Sequence, residues 1–318
     1  MQMAVLTPTR RRRIVATAAA TVLAGSLVAC GSSKSAQLPG SSSGGSGYDS
    51  IIAGAPVADA SLITSGSWMD KIKQRGYLNV GGTDTGPLFS LKDPATGKLT
   101  GFDAGLSQVL SRYITGKTSD LTKLTITTVD TRETLLQNKT VDAVFATYTI
   151  TAARAKKVDF AGPYYESGDA IMVKKDNTTI SKIGDLNGKN VVTESNSTAA
   201  LSLAKLAPQA KVSLLQEDAQ CVAAVQQGRA DAYVLDQGIL ISDASTNSAV
   251  KVVGDPFTQE PYGIGLPHGD DAAKKFVDDW LQKIYADGSW AKLWKATIGT
   301  VVSGNAPTPP TIGSADGS

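Results

Sequence analysis

The sequence predicts an α/β fold built as two similar lobes with largely parallel sheets, and two observations carry that prediction. From Ser67 onward, segments with helical periodicity alternate with short strand-like runs, the pattern of helices layered on parallel strands. Two stretches about ninety residues apart, LLQNKTVDAVFA (135–146) and AVQQGRADAYVL (224–235), also align without a gap. Each reads as a helix end, a polar turn, and then Asp-Ala opening an apolar strand, so one helix-to-strand unit occurs twice. A chain of 318 residues, 42% hydrophobic and 19% charged, is long enough to give each lobe its own core.

Taken in order, the chain begins with an address. Arg10 to Arg13 precede an apolar stretch, Ile14 to Val28, of about fifteen residues. That is short of the ~20 that a spanning helix needs, and it reads as a signal peptide over 1–29. LVAC at 27–30, followed by Gly31, resembles a bacterial lipobox, which implies lipidation of Cys30 and an extracytoplasmic, membrane-anchored protein. The arginine run fits either the general or the twin-arginine export route. Residues 31–47 (GSSKSAQLPGSSSGGSG) have the composition of a flexible tether, and with the folded body expected from 67, residues 30–66 are assigned to anchor and tether.

Within the body, Asp103 is placed to cap a helix whose apolar residues Leu106, Val109, Leu110, Tyr113 and Ile114 share one face. Ala273, Phe276, Val277, Trp280, Leu281 and Ile284 repeat that stripe, and Gly288 is placed to end the second helix. Strands are expected at 78–80, 141–146, 190–193, 211–215, 230–235 and 262–266, and a Pro/Gly/Ser-rich, disordered tail over 301–318.

Composition excludes several functions. Removing the four leader arginines takes the formal charge from +2 to −2, which gives no basic face for nucleic acid. One histidine, His268, and two cysteines make no metal-ligand constellation, so neither metal nor cofactor is expected. Cys221, once Cys30 is lipidated, reads as a buried thiol on a helix.

The chemistry lies beyond the strand ends, where open α/β sheets bind ligands. TYTITAAR (147–154) follows one strand, ESNSTAA (194–200) another, and Asp236 a third. Arg154 offers a planar fork for a carboxylate, Thr149 and Thr198 offer hydroxyls, and Asp236 offers an anion for an ammonium group. Helix starts add backbone donors. Together they complement a zwitterion. Each also has a simpler reading: Arg154 as surface charge with Lys156 and Lys157, the threonines and Asp236 as helix caps.

Over about Trp68 to Ile298 these segments resemble the extracellular solute-binding protein family 3, the polar amino-acid binders. SWMDKIKQRGYLNVG, PLFSLKDPATGKLTGFD, LLQNKTVDAVFATYTITAARAKKVDFAGPYY, DLNGKNVVTESNST, ADAYVLD, PYGIGLP and ADGSWAKLWK occur in the family's order. The resemblance implies a type II periplasmic-binding-protein fold, with lobe 1 over 67–167 and 261–300, lobe 2 over 168–253 and a return crossover at 254–260. The crossover strands are expected near Tyr165 to Ala170 and Gly254 to Pro261.

It further implies that Arg154 and Thr149 bind a ligand carboxylate with Thr147 on the same wall, and that Ser197 and Thr198 add to it from lobe 2. Asp236 would take the ammonium, and Asp84 and Phe89 would line the pocket. Gly86 stands where an aromatic is usual, Gly105 replaces an acid in GFD-x-D, and Ala152-Ala153 replaces Pro-Glu. ATYTITAAR resembles actinobacterial glutamate or glutamine binders. The implied function is a monomeric lipoprotein that captures a polar amino acid, of the glutamate, glutamine, aspartate and asparagine class. It would deliver the ligand to an ABC permease and its ATPase without catalysis. Lys92 and Arg132 are the cations to watch for a second carboxylate. Two other functions stay open: an amino-acid sensor subunit, and a cyclohexadienyl dehydratase-like enzyme with Glu194 as general acid or base.

Overall fold

The computed structural model describes residues 44–318, with side chains from Gly47 onward. The signal peptide, the lipidation of Cys30 and the first part of the tether lie outside the described residues. Helices are α1 Gly44–Gly54, α2 Trp68–Arg75, α3 Phe102–Thr115, α4 Arg132–Gln137, α5 Ala152–Ala155, α6 Thr198–Leu206, α7 Asp218–Gln226, α8 Gln237–Thr246, α9 Asp271–Ala286 and α10 Ser289–Ala296. Strands are β1 Leu78–Gly82, β2 Thr85–Gly86, β3 Ser90–Lys92, β4 Leu99–Thr100, β5 Thr122–Ile126, β6 Ala143–Val144, β7 Asp159–Ser167, β8 Asp169–Lys174, β9 Asn190–Glu194, β10 Lys211–Leu215, β11 Ala232–Asp236, β12 Val250–Val253 and β13 Glu260–Leu266.

Two five-stranded sheets repeat one plan, β5-β1-β6-β13-β7 and β10-β9-β11-β8-β12. In each, three strands run parallel and the other two join antiparallel, so only part of each sheet has the expected parallel pairing. The antiparallel strands include those through which the chain passes between sheets, and their direction is set by that passage. Outward, only Gly168 separates β7 from β8. A Cβ there would stand 2.3 Å from the Thr258 carbonyl oxygen, so the two crossings can run side by side only because this residue is glycine. Each sheet has its own core. Phe102, Leu106, Trp280, Leu281 and Trp290 pack around the first, and Ile171, Val191, Leu203, Val225, Val234 and Leu240 around the second.

The repeated sequence unit occupies the same place in each sheet. The backbone N–H of Asp142 donates to the Asn79 carbonyl at 2.8 Å, and its carboxylate accepts from the Asn79 N–H at 2.7 Å. Asp231 makes the same two contacts with Asn190, both at 2.8 Å. Lys139 and Gly228, at matching positions of the preceding turns, both take left-handed backbone, with φ of 59° and 73°. Each aspartate therefore pins the start of a central strand to its neighbour.

Three expectations differ from what is observed. Asp103 is not a cap: Gly101 takes that position, and the Asp103 carboxylate is committed to the Thr147 N–H and the Tyr164 hydroxyl, each at 2.7 Å. The ordered body begins well before Ser67, because Tyr48, Ile52 and Ala55 of α1 are buried against α3 and α10 and the Tyr48 hydroxyl donates to the Gly101 carbonyl at 3.0 Å. Beyond 300 the chain forms no regular element, yet it is not free of the body. Val302, Ala306 and Ile312 pack on the first core, and the Gly313 N–H donates to the Gly162 carbonyl at 2.8 Å. Scattered apolar residues anchor both segments, which composition alone assigns to solvent.

Candidate functional site

A cavity of about 220 Å³ lies between the two sheets, and all eight residues expected at a binding site line it: Asp84, Phe89, Thr147, Thr149, Arg154, Ser197, Thr198 and Asp236. The strand ends bring them together. Thr147 and Thr149 follow β6, Ser197 and Thr198 follow β9 at the start of α6, and Asp236 closes β11 and precedes α8. Thr147 has left-handed backbone with φ of 44°, held there by the Asp103 carboxylate beneath it.

Arg154 sits on the single turn of α5, whose N-cap Thr151 accepts from the Arg154 N–H at 3.2 Å. Its side chain is 9% exposed. Nη1 donates to the Thr149 carbonyl at 2.8 Å and Nη2 to the Asn196 carbonyl at 3.2 Å. Both partners are neutral, so its charge has no counter-ion within ion-pair distance among the described residues.

Asp236 is 5% exposed, and its Oδ1 has no hydrogen-bond partner among the described residues. Its pKa is held well above the usual carboxylate range, first by burial and then by the nearby carboxylates of Glu260 and Asp169. Asp169 faces Asp236 directly across the β8–β11 pair, and Glu260 opens β13. One unpaired buried cation and one unpaired buried acid thus address the same small space.

Phe89 packs edge-on to Tyr165 and Tyr262 at 5.8 and 6.1 Å, and lies against Gly238 at the start of α8. Asp84 is half-buried at the rim. The Ser197 hydroxyl is engaged as the N-cap of α6, accepting from the Ala200 N–H at 3.1 Å and donating to the Glu194 carbonyl at 2.7 Å. Its free contribution is therefore the donor-rich helix start rather than the hydroxyl. Gly86 also lines the cavity, with nothing within 3.8 Å of where a Cβ would stand.

Of the two cations singled out in the sequence, Lys92 is exposed and away from the cavity, whereas Arg132 lines it and is 5% exposed. The Arg132 guanidinium lies 3.8 Å over the Tyr148 ring, and Nη1 donates to the Ala146 carbonyl at 3.2 Å. Burial first, then repulsion from Arg154, lowers its pKa to about 10. Glu194 also lines the wall, pushed up to about 7 by burial and then by Asp218.

Sequence reasoning missed Thr127, Thr128, Asp218, Ser242 and Asp243, all on the wall. The rule that found the others reaches most of them. Thr127 and Thr128 follow the carboxyl end of β5, and Asp218 follows β10. Asp243 lies seven residues after Asp236, about two turns into α8.

Two lobes joined by paired crossings, with a charged cavity between the carboxyl ends of their strands, define a ligand receptor of the type II periplasmic-binding-protein fold. Residues 78–300 match the bacterial extracellular solute-binding proteins, family 3, and the chain belongs to that family. It is 35% identical to the ABC transporter glutamine-binding protein GlnH of Bacillus subtilis over 68% of this chain and 78% of that protein. It is 30% identical to the glutamate-binding protein GluB of Corynebacterium glutamicum over 90% of each. Among solved structures it resembles the ancestral amino acid-binding protein AncCDT-1, a precursor of cyclohexadienyl dehydratase, with a TM-score of 0.65, 35% identity and coverage of 72% of this chain and 98% of that one. No helix among the described residues is long and apolar enough to cross a membrane.

Proposed function

We propose that this chain is the substrate-binding protein of an ABC importer for polar amino acids, capturing one molecule between its lobes and handing it to a membrane permease driven by an ATPase. The observation that carries the reading is the presence of a cation, Arg154, and an acid, Asp236, both buried and neither in an ion pair among the described residues, on one cavity of about 220 Å³. Arg154 takes the α-carboxylate with Thr149 and the start of α6, and Asp236 takes the α-ammonium, while Asp84, Phe89 and Thr147 complete the wall. Lobe 1 is built on 67–167 and 261–300, with α1 and the segment beyond 300 packed on its core, and lobe 2 is built on 168–253, the two closing about the crossings. Glutamate, glutamine, aspartate and asparagine form the ligand class, and the names of GlnH and GluB support it.

The mature protein is anchored outside the cytoplasm through lipidated Cys30 and acts as a monomer. Native mass spectrometry of protein purified without denaturation, with a thermal panel of the twenty amino acids, tests the central reading: a polar amino acid should be carried through purification and raise the melting point. No shift with any amino acid overturns it. One observation favours a catalytic reading, since Glu194 on the cavity wall titrates near neutrality at about 7. Product formation from a cyclohexadienyl acid substrate would establish it.

A further inference from the structure

Four charged side chains on the cavity wall, Arg132, Glu194, Asp218 and Asp243, are not used by the α-carboxylate and α-ammonium of an amino acid as assigned above. We propose that Arg132 from the first lobe and Glu194, Asp218 and Asp243 from the second form a mixed-charge clamp that selects a carboxamide side chain over a carboxylate, so that glutamine or asparagine is preferred to glutamate or aspartate. This rests on the amino-acid-binding reading above and names which members of that class the cavity takes.

The donor half is Arg132. Its guanidinium is fixed by the Tyr148 ring at 3.8 Å and by the Ala146 carbonyl, which uses only Nη1. Nε has no hydrogen-bond partner among the described residues, and no carboxylate reaches ion-pair distance. A buried guanidinium with an unsatisfied N–H calls for an acceptor.

The acceptor half is the acidic group lining the same cavity, of which Glu194 is near enough for its charge to act on Arg132. Asp218 and Asp243 lie within hydrogen-bonding reach of each other, and the Tyr233 hydroxyl donates to Asp218 Oδ1 at 2.9 Å. Asp243 Oδ2 is buried and has no donor except a proton held by that pair. Glu194 stands beside them, near enough for the Asp218 charge to raise its pKa. Burial and mutual repulsion keep Glu194 at about 7 and Asp243 at about 9, which fits carboxyls crowded together on one wall.

Three side-chain chemistries can be weighed against this arrangement. A carboxylate satisfies Arg132 but brings a fourth acidic group against Glu194, Asp218 and Asp243, in a space where charge is poorly screened. An ammonium or guanidinium satisfies the acids but sits beside Arg132 and leaves its N–H groups unpaired. A carboxamide meets both halves: its carbonyl accepts from Arg132, and its NH₂ donates to the carboxylates. A site that pairs both faces of an amide rejects the isosteric acid through repulsion as well as through a lost hydrogen bond.

Titration calorimetry on the full mature chain at pH 7.5, with glutamine, asparagine, glutamate, aspartate, arginine and lysine as probes, tests the clamp. At least one amide should bind more than tenfold tighter than its acid. Replacing both Glu194→Gln and Asp243→Asn keeps shape, removes the Glu194 charge and takes Asp243 out of the shared-proton acid pair, and should narrow the amide-to-acid ratio at least fivefold through a gain for the acid. Melting is recorded for each variant, and if the double variant does not fold, Glu194→Gln alone carries the same expectation. Wild-type preference for glutamate or aspartate overturns the clamp, as does a preference for arginine or lysine, or a ratio unmoved in a folded variant. In all of these the amino-acid receptor stands. Failure of every amino acid to bind overturns the receptor reading and the clamp with it.

Discussion

Nη2 of Arg154 donates to the backbone carbonyl of Asn196 at 3.2 Å, across the cleft between the two sheets. Arg154 lies after β6 and Asn196 in the turn after β9, so one guanidinium touches both halves of the protein. Two carbonyls hold it without neutralising it, and a ligand carboxylate would supply the missing charge.

Arg154→Ala should therefore cost about 2 to 5 kcal/mol of ligand affinity, much of it from the unpaired carboxylate left behind. Arg154→Lys should recover little, because an ammonium cannot reproduce a planar fork that also reaches Thr149 and Asn196. Calorimetry decides the matter: an alanine variant within about threefold of wild type is inconsistent with carboxylate binding here, since that ratio is below 1.4 kcal/mol.

How much of this was legible in the sequence depends on whether local pattern or tertiary approach fixes a residue. The paired aspartates Asp142 and Asp231 were visible because one local unit occurs twice, and each makes the same two contacts with the start of a neighbouring strand. The ligand-facing residues were visible because strand ends put hydroxyls, an arginine and an acid beside helix starts. Arg132 was visible only as a charge. Its burial under Tyr148 comes from the way α4 packs on the strand-end loop, which no local pattern encodes. Gly105 reads as a lost acid, yet a Cβ there would meet Leu293 Cδ1 at 2.5 Å and the Tyr48 hydroxyl at 3.0 Å. The departure makes room for α1 and α10, and both contacts are long-range.

Asp236→Asn should weaken all α-amino acids alike, because the ammonium is common to them. The raised pKa of Asp236 adds a proton effect: the empty site favours the protonated acid, while ammonium binding needs the anion. Binding should release protons, and affinity should fall as pH is lowered. Calorimetry in buffers of different ionisation enthalpy reads this directly. A heat independent of buffer, or an Asp236→Asn variant that only reorders side-chain preference, would move Asp236 out of the ammonium site.

The unliganded protein should lose stability as pH rises toward 9. Burial is the first cause raising Asp169 to about 6, Asp103 and Glu194 to about 7 and Asp243 to about 9. A carboxyl whose folded pKa is raised binds its proton more tightly in the folded state. Its contribution is complete below the unfolded value near 4 and is lost as pH climbs through the folded value. The opposite shifts, lowered pKa at Asp59, Asp93 and Asp185, act below the ordinary aspartate value near 4 and leave this window untouched. Calorimetric melting between pH 5 and 9 should show a falling midpoint, and Glu194→Gln should flatten part of it. A midpoint that climbs over that range contradicts the assignment.

The mouth of the cleft holds a second bridge between the halves, and its removal should loosen closure without touching the cavity floor. Asp130, after β5, accepts from the Asn196 side-chain amide and from the Ser195 hydroxyl at 3.3 Å. Asn196 adopts left-handed backbone with φ of 57°, a conformation that costs little for asparagine and that presents its carbonyl to Arg154 and its amide to Asp130. Asp130→Ala removes these contacts at a partly exposed position, where hydrogen bonds contribute on the order of 1 kcal/mol. Because the bridge exists only when the halves approach, its loss should appear mainly as faster ligand release, by about fivefold, with the association rate nearly unchanged. Small-angle scattering of the unliganded variant should also give a larger radius of gyration. Stopped-flow release at the wild-type rate, with an unchanged scattering profile, would show that Asp130 adds nothing to closure.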